Sequence, residues 1–156
     1  FPSLNNSLKH FLKIGNGYYV GGDIDAETEV DVVMGSSLLV RRELGDKINW
    51  WDEDYFMYGE DIEFCWQVKN LDNKIMYVPE VIVHHHHGAS SGLKKTSQKL
   101  TIASREIKIR STLATTGAMR IFYKKHYEKE NIFFVNWLVY ASMWILEKIR
   151  LLTLNA

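Results

Sequence analysis

Glu60, Asp61 and Glu63 stand in the stretch FMYGEDIEFCW, residues 56–66, where three acids are set among four aromatics. A carboxylate in the first turn of a helix is stabilised by the helix dipole and by free backbone N–H groups. Asp61, placed there, would suit a general base. An acid at a helix start also serves as a plain cap, and the letters leave both roles open. Downstream lies the run HHHH at 84–87. Successive strand residues face opposite sides, so His84 with His86, or His85 with His87, would share a face. Neutral imidazole is a good ligand for Mn²⁺-like or Zn²⁺-like ions, and a solvated strand end accounts for the same run.

Two further groups have residue types suited to binding. Asp23-Ile-Asp25 has the spacing of the acid pair that holds a metal–diphosphate in many sugar-nucleotide enzymes, within a Gly/Asp/Glu stretch that reads first as a solvated loop. Trp50 and Trp51 adjoin Asp52, Glu53 and Asp54. Aromatic faces pack against the C–H faces of pyranose rings, so these tryptophans fit a sugar platform as well as they fit a core.

The elements that would position these residues follow from pattern. Residues 17–40 mix β-rich runs with Gly and Asp breaks and read as two or three strands. Residues 41–60 lack a sustained period and read as a short helical turn followed by a long loop, the usual place for a site. From Glu60 to Leu71 the apolar positions Ile62, Phe64, Cys65, Trp66, Val68 and Leu71 fit a helix that LDNK ends. Residues 74–87 give two extended runs split by Pro79, with the histidines closing the second, and GASSG at 88–92 is loop composition. Residues 94–129 read as mostly helical. The apolar run 132–146 is short against the roughly 20 residues of a membrane span. It fits a core helix or one lying in a membrane interface, the latter supported by Trp137, Tyr140, Trp144, Lys148 and Arg150.

At 156 residues, 46% hydrophobic and 13% aromatic, the chain is long enough to bury a core. Nineteen basic and nineteen acidic residues cancel, so no global field draws in nucleic acid and none is expected as a partner. The single Cys65 excludes an intrachain disulfide and suits a reducing compartment. Residues 1–15 lack a basic region followed by a continuous apolar stretch, so no signal peptide is expected. The chain opens on Phe1, as a processed chain or a piece of a longer one would. The expected location is cytoplasmic, peripheral at the inner face of the membrane if the C-terminal helix is interfacial.

Four blocks, DVVMGSSLLVRREL at 31–44, WWDEDYFMYGEDIEFCWQ at 50–67, YVPEVIVHHHHGASS at 77–91 and RIFYKKHY at 120–127, together resemble the second half of a family 2 glycosyltransferase. The likeness is strongest to the rhamnosyltransferase-like branch that builds bacterial cell-surface polysaccharides. It implies an α/β fold: a partial GT-A-like domain with a mixed sheet and flanking helices, then C-terminal helices. Residues 1–93 would be the acceptor-side part of the catalytic domain, and 94–156 a helical extension that touches the membrane through 132–150.

By the resemblance, Asp61 would deprotonate the acceptor hydroxyl and Glu60 would shape the acceptor site. Gly35, Ser36 and Ser37 would leave room where donor and acceptor sugars meet, with Trp50, Trp51 and Asp54 in the same pocket. His85, six residues after Pro79, matches the family's histidine, which meets the metal or the donor diphosphate; His87 would be a further ligand. The implied cofactor is a divalent metal, Mn²⁺ or Mg²⁺, and the implied partners are a nucleotide-diphosphosugar donor and a saccharide or lipid-linked acceptor. An inverting displacement needs one carboxylate base, whereas a glycosidase needs two carboxyls flanking the bond.

Gln67, Glu63 and the stretch WWDEDYF depart from the branch's pattern, and its N-terminal nucleotide-binding half has no counterpart before residue 31. Two other readings therefore stand beside the transferase: a non-catalytic remnant or metal-binding interaction module, and a metal-dependent hydrolase using Glu60, Asp61 and the histidines.

Overall fold

A computed structural model of the chain describes residues 23–85, 88–93 and 99–154. Its elements run β1 (Thr28–Val30), a 3₁₀ turn at Gly35–Ser37, α1 (Arg42–Lys47), α2 (Glu60–Asn70), β2 (Ile75–Tyr77), α3 (Arg105–His126), a 3₁₀ turn at Glu128–Glu130 and α4 (Phe133–Thr153). This is a mixed α/β chain compatible with part of a glycosyltransferase domain. Among the described residues the sheet is two-stranded and antiparallel rather than mixed. The chain divides into two compact units: one runs to Trp51 and resumes over Asp61–Val83, and the other comprises Asp52–Glu60 and the residues from His84 onward.

In the first unit β1 pairs with β2 in the register Thr28↔Tyr77, Glu29↔Met76, Val30↔Ile75. A two-stranded ribbon is marginal by itself, and here it leans on α2. Phe64, Cys65 and Val68 of α2 bury one stripe against Ile75, and Val30, Val32, Val33, Leu38, Val40, Leu44 and Ile48 close around them. Lys69, in the last turn of α2, reaches Asp31 at 2.9 Å. The helix stops where Asp72 turns left-handed (φ +55°). There the N–H of Asp72 donates to Lys69 O and that of Asn73 to Val68 O, the paired closure of a Schellman end.

In the second unit α3 starts on Ser104, whose Oγ accepts the Ile107 N–H. α3 and α4 join through Tyr123, Val139 and Met143. Tyr123 and Tyr140 meet edge to face at 5.7 Å, and the Tyr123 hydroxyl donates to Asn136 Oδ1 at 2.6 Å. A charged link completes the pair: Glu147 Oε2 accepts from Arg120 Nη1 at 2.8 Å and from Thr116 Oγ1 at 2.7 Å. The Arg120 hydrogen bond, helped by Thr116, holds the Glu147 carboxyl below its ordinary value against the opposing effect of burial.

Three expectations change. Of the strands expected over 17–40 only β1 forms among the described residues, and Gly35–Ser37 is a 3₁₀ turn. β2 ends before Pro79, and the second run forms no strand among the described residues: Val81, Ile82 and Val83 are exposed. β1 begins only at Thr28, opposite Tyr77, so the ladder has no partner residue to offer them. His84 and His85 thus follow irregular chain, and strand alternation does not sort them. Finally, the first C-terminal helix begins at Arg105 rather than near residue 94, with 94–98 outside the described residues.

Candidate functional site

Val33 and Leu38 are both packed against the α2 stripe. The chain between them is therefore held close to α2, and it tightens into the turn Gly35–Ser37. Oδ2 of Asp61, in the first turn of α2, accepts the Gly35 N–H at 3.2 Å, and Oδ1 accepts the Ile62 N–H at 2.9 Å. A Cβ added to Gly35 would lie 3.4 Å from Asp61 Cβ and 4.0 Å from both Asp61 Oδ2 and the Trp51 ring. Glycine thus keeps open the gap between the carboxylate and the indole. Trp51 packs on Phe64 with centroids 4.8 Å apart and is still 44% exposed. Ser36 and Ser37 are exposed beside Gly35. Asp61, Gly35 and Trp51, each expected at a site, are brought together.

Trp50 takes another course. α1 ends with Asn49 and Trp50 both left-handed (φ +60° and +59°), and the Trp50 N–H donates back to Gly45 O at 2.9 Å. The indole then covers Gly45, where a Cβ would meet it at 2.7 Å, and its Nε1 donates to Asp46 Oδ1 at 2.8 Å. Trp50 thus closes the C-terminal end of α1, two residues past its C-cap Ile48.

The loop Asp52–Glu60 is positioned by α3 within the second unit. Lys125 Nζ bridges the carboxylates of Asp52 and Asp54, the latter at 2.7 Å, and lies 5.5 Å from the Tyr55 ring. Burial is the largest single effect on Asp52 and on Lys125 and disfavours both charges, but their mutual hydrogen bond, the hydrogen bonds to Asp54 and the neighbouring charges together outweigh it: the Asp52 carboxyl is held below its ordinary range and the Lys125 ammonium above its own. The Arg110 guanidinium sits 3.8 Å over the Phe56 ring. Tyr58 and Gly59 are both left-handed (φ +67° and +86°), turning the chain into α2. A Cβ on Gly59 would meet Ala118 Cβ at 2.9 Å and the Tyr55 ring at 3.1 Å. Glu60 then presents a buried Oε2 that has no hydrogen-bond partner among the described residues.

Glu63, the third acid of the motif, is buried and accepts from Gln67 Nε2 at 3.1 Å, so it faces the interior. Cys65 is buried with its Sγ 4.0 Å from Val33 O, and burial raises its thiol above the ordinary value. The Asp23–Asp25 pair forms a local turn, Asp25 N–H to Asp23 Oδ1 at 3.0 Å, on the surface. His85 is exposed, and His87 lies outside the described residues. Among the described residues no group of three or more His, Cys, Asp or Glu side chains gathers to hold a metal ion.

Sequence reasoning gave no role to Lys125, Arg110, Gly59 or Ala118, the residues that fix the loop. Lys125 lies inside the quoted block RIFYKKHY, and an aromatic-acid loop with three acids over Asp52–Asp54 calls for a cation; that signal was available. The Gly59–Ala118 contact depends on spatial proximity that no sequence spacing announces.

No protein-family profile and no solved structure matches the chain. Curated proteins match in part. The rhamnosyltransferase WbbL of Escherichia coli (strain K12) is 34% identical over 98 residues, 61% of this chain and 37% of that protein. The N-acetylglucosaminyl-diphospho-decaprenol L-rhamnosyltransferase of Mycobacterium tuberculosis (strain H37Rv) is 37% identical over 67 residues, 43% of this chain and 22% of that protein. The chain thus spans well under half the length of these relatives. Over the matched stretches it is similar to rhamnosyltransferases, and glycosyltransferase is the broad class this likeness supports.

Proposed function

We propose that the chain carries the acceptor side of an inverting, family 2, GT-A-type glycosyltransferase that uses a nucleotide-diphosphosugar in bacterial cell-surface polysaccharide synthesis. The observation that carries the reading is Asp61, whose carboxylate is tied to the backbone of Gly35 and lies beside the half-exposed face of Trp51. The names of these relatives support rhamnose as the transferred sugar, and that of the mycobacterial one a prenyl-diphosphate-linked N-acetylglucosamine as the acceptor class.

In the proposed displacement Asp61 takes the acceptor hydroxyl proton as that oxygen bonds to the anomeric carbon. The bond from that carbon to the donor diphosphate oxygen breaks, the nucleoside diphosphate leaves with the electron pair, and the anomeric centre inverts. Each Asp61 oxygen accepts one backbone N–H and, as a carboxylate oxygen, has a further lone pair for the acceptor hydroxyl. Trp51 offers a face for a pyranose. Glu60 is proposed to shape the acceptor site; its Oε2 is buried and has no hydrogen-bond partner among the described residues. A divalent ion, Mn²⁺ or Mg²⁺, at the donor diphosphate belongs to the proposal with His85 and His87 as its candidates; the described residues supply no ligand set for it, and no step above passes through it.

The test combines transfer from nucleotide-diphospho-rhamnose to a prenyl-diphospho-N-acetylglucosamine with calorimetric titration of that acceptor and of UDP, dTDP and GDP, with and without Mn²⁺. Acceptor binding by the chain, and transfer that Asp61→Asn lowers by about 10²–10⁴-fold, are expected. A folded chain that binds neither acceptor nor nucleotide would overturn the reading in favour of a non-catalytic module.

A further inference from the structure

α4 buries a narrow stripe and leaves a broad one uncovered. Val139, Met143 and Glu147, spaced by four, face α3. On the other side Phe134, Trp137, Leu138, Trp144, Ile145 and Leu152 are all exposed, Phe134 at 61% and both tryptophans at 56%. At 3.6 residues per turn, the positions from Phe133 round to Ile149 cover an arc of about 160°. Every residue in that arc is apolar except Lys148.

The charges on α4 discriminate between occupants of this face. Its one acid, Glu147, is on the opposite side and paired with Arg120. Its cations are Lys148, exposed in the apolar arc with its ammonium 5.5 Å from the Trp144 ring, and Arg150, partly exposed. A second copy of α4 laid on this arc would bury Lys148 with no carboxylate on the facing helix, and an unpaired buried ammonium is costly. A coiled-coil seam is also a narrower stripe than this one. An anionic phospholipid surface meets both features. Headgroup phosphates receive the ammonium, whose stem runs along the indole, while tryptophans and aliphatic chains enter the acyl boundary. No helix among the described residues is long and apolar enough to cross a membrane, so α4 would lie in the interface plane rather than span it.

We infer that the exposed face of α4, centred on Trp137, Trp144 and Lys148, docks the chain in plane on a membrane leaflet carrying anionic phospholipid. This rests on the α4 surface alone and stands or falls separately from the transferase reading. The test is flotation of the whole chain with vesicles of pure phosphatidylcholine and of equal parts phosphatidylcholine and phosphatidylglycerol, with sedimentation equilibrium in the absence of lipid. The chain is expected to float with the anionic vesicles, less so at high salt. Trp137→Glu/Trp144→Glu should lower that partition at least about tenfold, and Lys148→Glu should remove most of the preference for phosphatidylglycerol. A blue shift of the wild-type tryptophan emission on adding anionic vesicles gives a readout that needs no variant. Failure of the wild type to float or shift with anionic vesicles overturns the inference, as does undiminished flotation of a folded double variant. A lipid-free dimer that the same substitutions dissolve, without vesicle binding, would assign the face to a second copy instead.

Discussion

The Asp61 carboxylate and the Gly35 backbone are joined by a 3.2 Å hydrogen bond across 26 residues of sequence, so the first turn of α2 and the 3₁₀ turn are fixed to each other at the side chain proposed as base. Asp61→Asn keeps the shape and one acceptor oxygen, and is expected to preserve the far-ultraviolet spectrum while abolishing transfer. Gly35→Ala puts a methyl group at ordinary contact distance from Asp61 and Trp51; stability should change little, and acceptor KM should rise more than kcat falls. Unchanged kinetics in the alanine variant would remove the gap from the acceptor path.

Lys125→Met removes the bridge between Asp52 and Asp54. Partly exposed ion pairs contribute modestly, about 0–1 kcal/mol each, but this cation holds two carboxylates of one loop. Limited proteolysis within 52–58 should quicken about threefold to tenfold with helix content unchanged, and Lys125→Arg should restore most of the protection. An unaltered cleavage rate would show that Arg110 and Gly59 hold the loop without it.

Gly59 and Gly117 should respond to alanine in opposite directions. At Gly59 a methyl group meets Ala118 and the backbone is left-handed, so Gly59→Ala is expected to cost about 1–3 kcal/mol. At Gly117, inside α3, a Cβ meets nothing within 4 Å, and Gly117→Ala is expected to add about 0.5–1 kcal/mol. Urea midpoints of the two variants decide the matter.

Glu147 sets an acid limb on stability. Its carboxyl titrates below the ordinary glutamate value of 4.5 in the folded chain. The stabilisation is therefore fully present above that value and is lost as pH falls through the lower, folded one. Glu147→Gln should lower stability by about 1–3 kcal/mol at neutral pH and flatten the decline below 4.5. Thermal melts across the acid range show whether the slope changes.

Helix α2 was legible because three signals agree: acids at Glu60 and Asp61, an apolar stripe through Phe64, Cys65 and Val68, and a stop at Leu71–Asn73 where Asp72 accepts a left-handed turn. The strand expected beyond Pro79 was not, because β-propensity describes fitness for a partnered surface, and β1 offers only three residues for pairing. The two tryptophans show the same limit at the site. Adjacent identical residues in one motif separate only when the left-handed end of α1 turns Trp50 back onto Gly45 and leaves Trp51 against Phe64. α4 runs on to Thr153, past the end of the apolar stretch at 146, since Glu147, Lys148 and Arg150 are good helix formers, and Glu147 meets an arginine of α3 that its own neighbours do not reveal.

The bare run after Pro79 has a practical consequence. Val81, Ile82 and Val83 are β-branched, exposed (Ile82 at 81%) and outside any strand, which is the profile of a segment that recruits like segments into intermolecular sheet. Purified at high concentration, the chain should therefore lose solubility with a steep dependence on concentration, and Ile82→Lys should act as a gatekeeper that raises the ceiling without moving the melting temperature.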